Sequence, residues 1–265
     1  MNVYSLLLAL TILSCGSSSE PDIKGSHDSS FTNENTTDSL NSIEQRDSII
    51  KFLIGKFDPA SIQDFVEIPI EFASKKGMFI QKEVLEAFTN MHNVAKSSGI
   101  TLTIVSGTRN FEQQKAIWNR KFEERVFRMS MIPSGQDSIR FAKDILLYSS
   151  MPGTSRHHWG TDIDLNSLEP EFFSTPEGEK IYSWLYENAS RFGFCQPYVS
   201  KASGRTGYEE EKWHWTYTPL SKKYLESYNQ LVGYDRICCF KGSELATLLR
   251  VIQEYVNGIN PACAP

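Results

Sequence analysis

The sequence predicts an α+β fold, and three observations carry that prediction. Amphipathic helical patterns open and close the folded region, over 46–56 and 243–256. Short alternating or β-branched stretches recur in its centre, at 100–105, 161–165 and 213–217. Further helical patterns lie between those stretches, so helices and short strands alternate along the chain.

The first residues stand apart from this domain. Residues 3–13 (VYSLLLALTIL) form an apolar run that ends in Ser14-Cys15-Gly16. A membrane-spanning helix needs about 20 such residues, so the run reads as a secretory signal peptide over 1–15. Ile12-Leu13-Ser14-Cys15 resembles a loose lipobox, which makes Cys15 a candidate for lipidation. The alternative is a plain signal peptide cut near Gly16. Either reading predicts export to the cell envelope, and the first adds a membrane anchor through Cys15. Residues 16–45 are dominated by Ser, Asn, Asp, Thr and Gly, with few large apolar side chains. Such a segment cannot bury enough surface to offset its ordering entropy and is expected to be a flexible tether, His27 included.

With no second linker and no internal repeat, 46–265 is expected to be one domain. Its first helix covers 46–56, with Ile49, Ile50, Phe52, Leu53 and Ile54 apolar. A second covers 81–98, with Val84, Leu85, Phe88, Met91 and Ala95 on one stripe and Gly99 placed to end it. His92 on that helix is expected at the surface or an edge. The strand over 100–105 leads to Gly107-Thr108-Arg109, and helices follow over 111–128 and 137–148. Turn residues 151–154 precede the strand at 161–165. Thr175 and Pro176 are suited to N-cap and first position of a helix over 176–192 that Gly193 terminates. The aromatic, β-branched 213–217 is a strand, and the last helix, 243–256, buries Leu245, Leu248, Leu249, Ile252 and Val256.

Bulk charge narrows the partners. The net charge is −5 with no basic run, so nucleic acid is not an expected ligand. Four cysteines fall within the domain: Cys195, Cys238, Cys239 and Cys263. Bridging the adjacent pair is sterically poor, so Cys195 is expected to pair with Cys238 or Cys239 in an oxidising compartment.

Three of the chain's five histidines fall in two short motifs, Ser155-Arg156-His157-His158-Trp159-Gly160-Thr161-Asp162-Ile163-Asp164 and Glu211-Lys212-Trp213-His214-Trp215. Two imidazoles and one carboxylate (His157, His214 and Asp164) suit Zn²⁺ better than the harder Ca²⁺ or Mg²⁺, and leave one coordination position for water. Gly160 lets the chain turn, so His157 can sit on the approach and Asp164 on the strand itself. His214 alternates with Trp213 and Trp215, which places it on the opposite side from both indoles. Glu211 shares its face only if a turn lies between them, and could then serve as a base. Arg109 follows a strand and offers a permanently charged fork for a carboxylate.

These motifs resemble those of the VanY-type D-alanyl-D-alanine carboxypeptidases, within a zinc-enzyme superfamily that includes D-Ala-D-Ala dipeptidases, lysostaphin-like enzymes and the hedgehog domain. The resemblance spans about 80–220. It rests on Ser106-Gly107-Thr108-Arg109 with Gln114, on Ser155 and His157 through Gly160 to Asp164, and on Glu211 to His214-Trp215. It implies a small antiparallel sheet carrying the zinc site, with His157, Asp164 and His214 as ligands. It also implies Glu211 as base and then acid, Arg109 on the substrate carboxylate or the tetrahedral intermediate, and Ser155 and Gln114 lining the pocket. The implied substrate is the D-Ala-D-Ala end of a peptidoglycan stem peptide. A cell-wall endopeptidase or dipeptidase on the same scaffold, and a zinc-containing module that binds without hydrolysing, are the alternatives. Three positions depart from the family pattern. Asp162 stands where a small residue is usual, and could support a ligand histidine or compete as a ligand. His158 and Trp159 replace small or polar residues and are expected to alter the pocket rim.

Overall fold

Two small antiparallel sheets organise the chain. The structure, a computed structural model, describes residues 34–129 and 134–265. The expected leader with Cys15, and residues 16–33 of the expected tether with His27, lie outside the described residues. Phe65–Glu67 (β1) pairs with Phe79–Gln81 (β2). Ile104–Ser106 (β3), Asp162–Leu165 (β4), Phe194–Cys195 (β5) and His214–Tyr217 (β6) form a second sheet in the order β3-β4-β6-β5. This is the α+β arrangement expected.

Period-two alternation explains how β4 serves two purposes. Ile163 and Leu165 turn into the apolar core, while Asp162 and Asp164 share the other face, and all four are buried. In the β4–β6 ladder Asp164 stands opposite His214, and Asp162 opposite Thr216. A sheet face carrying buried carboxylates can persist only if each finds a partner.

Six α-helices surround the sheets among the described residues: Glu34–Leu53 (α1), Lys82–Ser97 (α2), Phe111–Met129 (α3), Gly135–Ile145 (α4), Pro176–Asn188 (α5) and Thr218–Leu231 (α6). The stripe on α2 buries Val84, Phe88, Met91 and Ala95 as the spacing requires. Thr175 caps α5 by accepting from the Gly178 amide at 3.1 Å, with Pro176 in the first turn. After α5 a 3₁₀ turn, Ala189–Phe192, runs to Gly193 at φ +83°.

Several expectations give way to the structure. α1 begins at Glu34, so residues 34–45 continue a helix where a tether was expected, and it ends at Leu53. The ladder of β3 starts only at Ile104; the Thr103 amide goes instead to the Asn166 side chain, 3.4 Å away. His92 is buried, with Nδ1 3.0 Å from the Leu102 carbonyl and its ring against Phe72 and Phe88. The stretch 243–256 is not one helix. It opens with a 3₁₀ turn, Ser243–Leu245, passes Arg250 at φ +51°, and closes with a π-helical turn, Ile252–Val256. A left-handed residue cannot continue a right-handed helix, and Leu248 is left 62% exposed.

The disulfide also differs. Cys195 bonds to Cys263, with Cα atoms 5.7 Å apart, and this ties β5 to the C-terminal segment. Cys238 and Cys239 are free thiols with their sulfurs 2.8 Å apart. Steric disfavour for a vicinal bridge therefore leaves that pair reduced rather than redirecting Cys195 to it. No helix among the described residues is long and apolar enough to cross a membrane.

Candidate metal centre

Three local devices bring distant side chains to one point. The first is the 3₁₀ turn Arg156–Trp159, ended by Gly160 at φ +69°. A side chain at Gly160 would collide with the Phe65 ring, so only glycine satisfies both the backbone and the space. This turn aims His157 across the sheet at Asp164, Nε2 to Oδ2 3.3 Å. The second device is the register that sets His214 beside Asp164, Nδ1 to Oδ1 3.3 Å. The third is a turn closed by the His214 amide on the Glu211 carbonyl at 3.3 Å. It brings Glu211 Oε2 to 3.1 Å from His214 Nδ1.

The hydrogen bonds fix which ring nitrogens are free. The Gly107 carbonyl can only accept, so His157 Nδ1, 2.8 Å away, carries a hydrogen and Nε2 keeps its lone pair. His157 Nε2 and Asp164 Oδ1 are buried with no hydrogen-bond partner among the described residues. On His214, Nε2 donates to Asp162 Oδ2 at 2.9 Å, leaving Nδ1 toward Asp164. One atom from each of His157, Asp164 and His214 lies within 4.8 Å of the others, and all three residues are buried. Unmatched lone pairs converging in a buried site are costly unless a cation sits among them. The donor set of two nitrogens and one oxygen fits a divalent ion of intermediate hardness.

Asp162 stands behind the site rather than in it. Its Oδ1 accepts from Thr161 Oγ1 and Thr216 Oγ1, both at 2.7 Å, and its Oδ2 accepts from Arg156 Nε at 3.0 Å as well as from His214. Burial alone would push this carboxyl up, but Arg156 and His214 outweigh it and hold the group far below the usual range. With its lone pairs engaged, Asp162 orients His214.

Charge is distributed unevenly over the metal-free site. Burial pushes Asp164 up, yet His157 and then His214 pull it down to about 2. His157 is lowered by burial and by Arg109. Burial would lower His214 too, but Asp162 and Glu211 raise it to about 9. Burial is also the main reason Glu211 is raised, against the opposing pull of His214. A buried carboxylate whose proton affinity is raised can take a proton and give it back.

These groups open onto a cleft of about 620 Å³ lined by Arg109, Ser155, His157, Asp164, Glu211 and His214 among others. Arg109 Nε and Ser155 Oγ are both buried and have no hydrogen-bond partner among the described residues. Trp213 lines the cleft and Trp215 belongs to the core. Gln114, expected in the pocket, sits one layer behind it. Its Nε2 donates to the Ser150 carbonyl at 2.8 Å, and Ser150 provides the lining.

His158 and Trp159 are not at the rim; both are fully buried. His158 Nδ1 donates to the Arg109 carbonyl at 2.6 Å while Nε2 accepts from the Gly153 amide at 3.1 Å. Trp159 Nε1 donates to the Leu53 carbonyl at 3.0 Å and seats α1 on the turn that carries His157. Arg156 lies within the first histidine motif but drew no role from it, and Thr216 and the cleft residues Tyr198 and Tyr208 lie outside every motif. Only the period-two spacing of Asp162 from Asp164 pointed toward that network.

Comparison with known proteins follows the same residues. YodJ of Bacillus subtilis (strain 168), provisionally assigned as a carboxypeptidase, is 29% identical over 202 residues, covering 71% of this chain and 66% of its own length. A D-alanyl-D-alanine carboxypeptidase of Enterococcus faecalis (strain ATCC 700802 / V583) is 28% identical over 177 residues, covering 67% of this chain and 60% of that protein. The chain thus covers less than two thirds of either relative. Among solved structures, the LD-carboxypeptidase LdcB is 26% identical with a TM-score of 0.48, over 67% of this chain and 77% of that one. A mutant of the vancomycin-resistance D,D-pentapeptidase VanY in complex with Zn(II) is 24% identical with a TM-score of 0.44, over 65% and 94%. The family profile described as VanY, D-alanyl-D-alanine carboxypeptidase, matches residues 77–220. That stretch is more than half of the chain and holds every residue that converges on the cleft floor, and the protein belongs to the VanY D-alanyl-D-alanine carboxypeptidase family.

Proposed function

We propose that this protein is a zinc-dependent D,D-carboxypeptidase that releases the terminal D-Ala from peptidoglycan stem peptides. The observation that supports it most directly is the arrangement of one cleft: His157, Asp164 and His214 on its floor, Glu211 beside His214, and Arg109 facing the same space without an ion-pair partner.

His157 Nε2, Asp164 and His214 Nδ1 would hold the zinc, which when bound supplies a Lewis acid for the scissile carbonyl and lowers the pKa of a water toward ~7. Glu211 takes the proton of the attacking water and returns it to the departing amine. Its raised proton affinity suits both transfers. Arg109 forks the terminal carboxylate, and Ser155 Oγ, buried and unpartnered, donates to the same end of the peptide. A carboxylate requirement at that end favours removal of a terminal residue over cleavage within a peptide. A module that only binds has no use for a buried carboxylate beside its metal.

The deciding experiment is product analysis on synthetic peptides ending in D-Ala-D-Ala, with the zinc-loaded protein. Release of D-Ala supports the reading. Release of an internal fragment assigns an endopeptidase, release of the dipeptide a dipeptidase, and no release with intact binding a non-catalytic module. Export, with a lipid on Cys15 holding the protein to the envelope membrane, belongs to the same proposal and rests on residues 3–15. Loss of membrane association on Cys15→Ser supports the anchor, and unchanged fractionation removes it.

A further inference from the structure

Ile117 and Lys121 follow Gln114 on α3 at steps of three and four residues, so the three share one aspect of the helix. Ile117, Arg120 and Lys121 line the cleft together with Arg109, Ser149 and Ser150. Gln114 pins that wall through the Ser150 carbonyl. The Lys121 ammonium is half-buried and donates to Ser149 Oγ at 2.5 Å. Among the described residues neither Arg109, Arg120 nor Lys121 has a carboxylate ion-pair partner.

Three cations lining one cleft, none of them in an ion pair among the described residues, repel one another. Burial, and then repulsion from Arg125, Arg109 and Arg120, lower the proton affinity of Lys121. Glu211 is the acidic group it feels, and that carboxylate is already engaged with His214. Glu169 and Glu171, both exposed, line the same cleft. The α3 contribution to the cleft is basic. If Arg109 takes the terminal carboxylate, two cations remain for another anionic group. A departing D-Ala has one carboxylate, so a second must come from the acyl part of the peptide.

We propose that Lys121 and Arg120 form a second anion subsite, which takes a side-chain carboxylate on the acyl side of the scissile bond. The preferred substrate is then a peptide with two carboxylates, one terminal and one on the residue preceding D-Ala-D-Ala. This inference rests on the proposed hydrolytic reading for its orientation.

The test uses two synthetic peptides ending in D-Ala-D-Ala that differ only in a side-chain carboxylate or carboxamide on the preceding residue. The zinc-loaded wild type is expected to favour the acidic peptide in kcat/KM by at least about tenfold, a preference that shrinks with added salt. In Lys121→Met, and separately in the exposed Arg120→Gln, the ratio between the two peptides falls toward one. Binding of the same peptides to zinc-loaded Glu211→Gln, followed by calorimetry, reads the subsite without turnover. A binding preference in Glu211→Gln together with no cleavage by the zinc-loaded wild type keeps the subsite and removes the hydrolytic reading. Equal binding and equal turnover of the two peptides, or a preference that survives both α3 substitutions, overturns the subsite even when D-Ala is released.

Discussion

Asp162 accepts His214 Nε2 at 2.9 Å, while the other nitrogen of the same ring, Nδ1, faces Asp164 at 3.3 Å. One imidazole is thus gripped from behind by a carboxylate that is itself fully hydrogen-bonded. Removing such support typically costs a metal site about 10–100-fold in affinity. Asp162→Asn should therefore weaken zinc binding by about that factor in chelator competition. It should also change the His214 ring-nitrogen NMR signals of the metal-free protein. Unchanged affinity and unchanged signals would mean that Asp162 serves packing alone.

Glu211→Gln preserves size and removes only the ability to carry a proton. Zinc content should stay at the wild-type level, and turnover should fall by about 10²–10⁴-fold. Metal analysis and a D-Ala release assay on one preparation check both halves. Activity within a few-fold of wild type would remove Glu211 from its assigned role.

His158 predicts a pH dependence of stability in the chelator-treated protein. Its Nε2 accepts from the Gly153 amide, so a second ring proton would point hydrogen at hydrogen. Burial and this environment lower the group from 6.5 to about 3. The unfolded chain takes up a proton below pH 6.5 that the folded chain refuses until about pH 3. Stability is lost as pH falls through that window, on the order of 1 kcal/mol per pH unit from this group. His214 runs the other way. Raised to about 9, it contributes fully below 6.5 and loses that contribution as pH climbs through 9. Denaturant titrations from pH 6.5 down to 4.5 should show a shallower slope in His158→Gln than in wild type; parallel slopes would contradict the assignment.

The Cys195–Cys263 bridge closes a loop with a sequence separation of 68. By chain entropy, such a crosslink contributes about 4 kcal/mol. Cys263→Ser should lower the unfolding free energy by roughly that amount, whereas Cys238→Ser should be near neutral. Equal effects of the two substitutions would count against a structural bridge at Cys195.

Legibility in the sequence followed the range over which each residue acts. His157 and Asp164 were legible because Gly160 between them signals the needed turn, and the alternation over 161–165 signals the strand that carries Asp164. The α2 stripe and the Thr175 cap were legible for the same reason, since neighbours within one turn decide them. His92 was misplaced because its partner, the Leu102 carbonyl, comes from a separate stretch of chain. His158 looked like a rim residue because the two backbone groups that claim its ring, on Arg109 and Gly153, are invisible to periodicity. The 243–256 pattern has helical spacing, yet tertiary packing overrides it at Arg250. Lys121 carried no motif, and its significance emerges only when Arg109 and Arg120 are seen to face the same space.

The segment beyond residue 220 supports one wall of the cleft. Tyr255 lies against Tyr208 with ring centroids 5.1 Å apart, Tyr208 lies against Tyr198 at 4.9 Å, and both Tyr198 and Tyr208 border the cleft. Thr206 is bonded to the Glu254 carbonyl, and the far end of that tail is held by Cys263. A fragment trimmed to residues 77–220, the stretch that matches the family, would lose this buttress, leaving the two tyrosines to sag into the space reserved for the peptide. Part of the active-site architecture is thus set by residues outside the signature of the family, and by a covalent tie made only where thiols are oxidised.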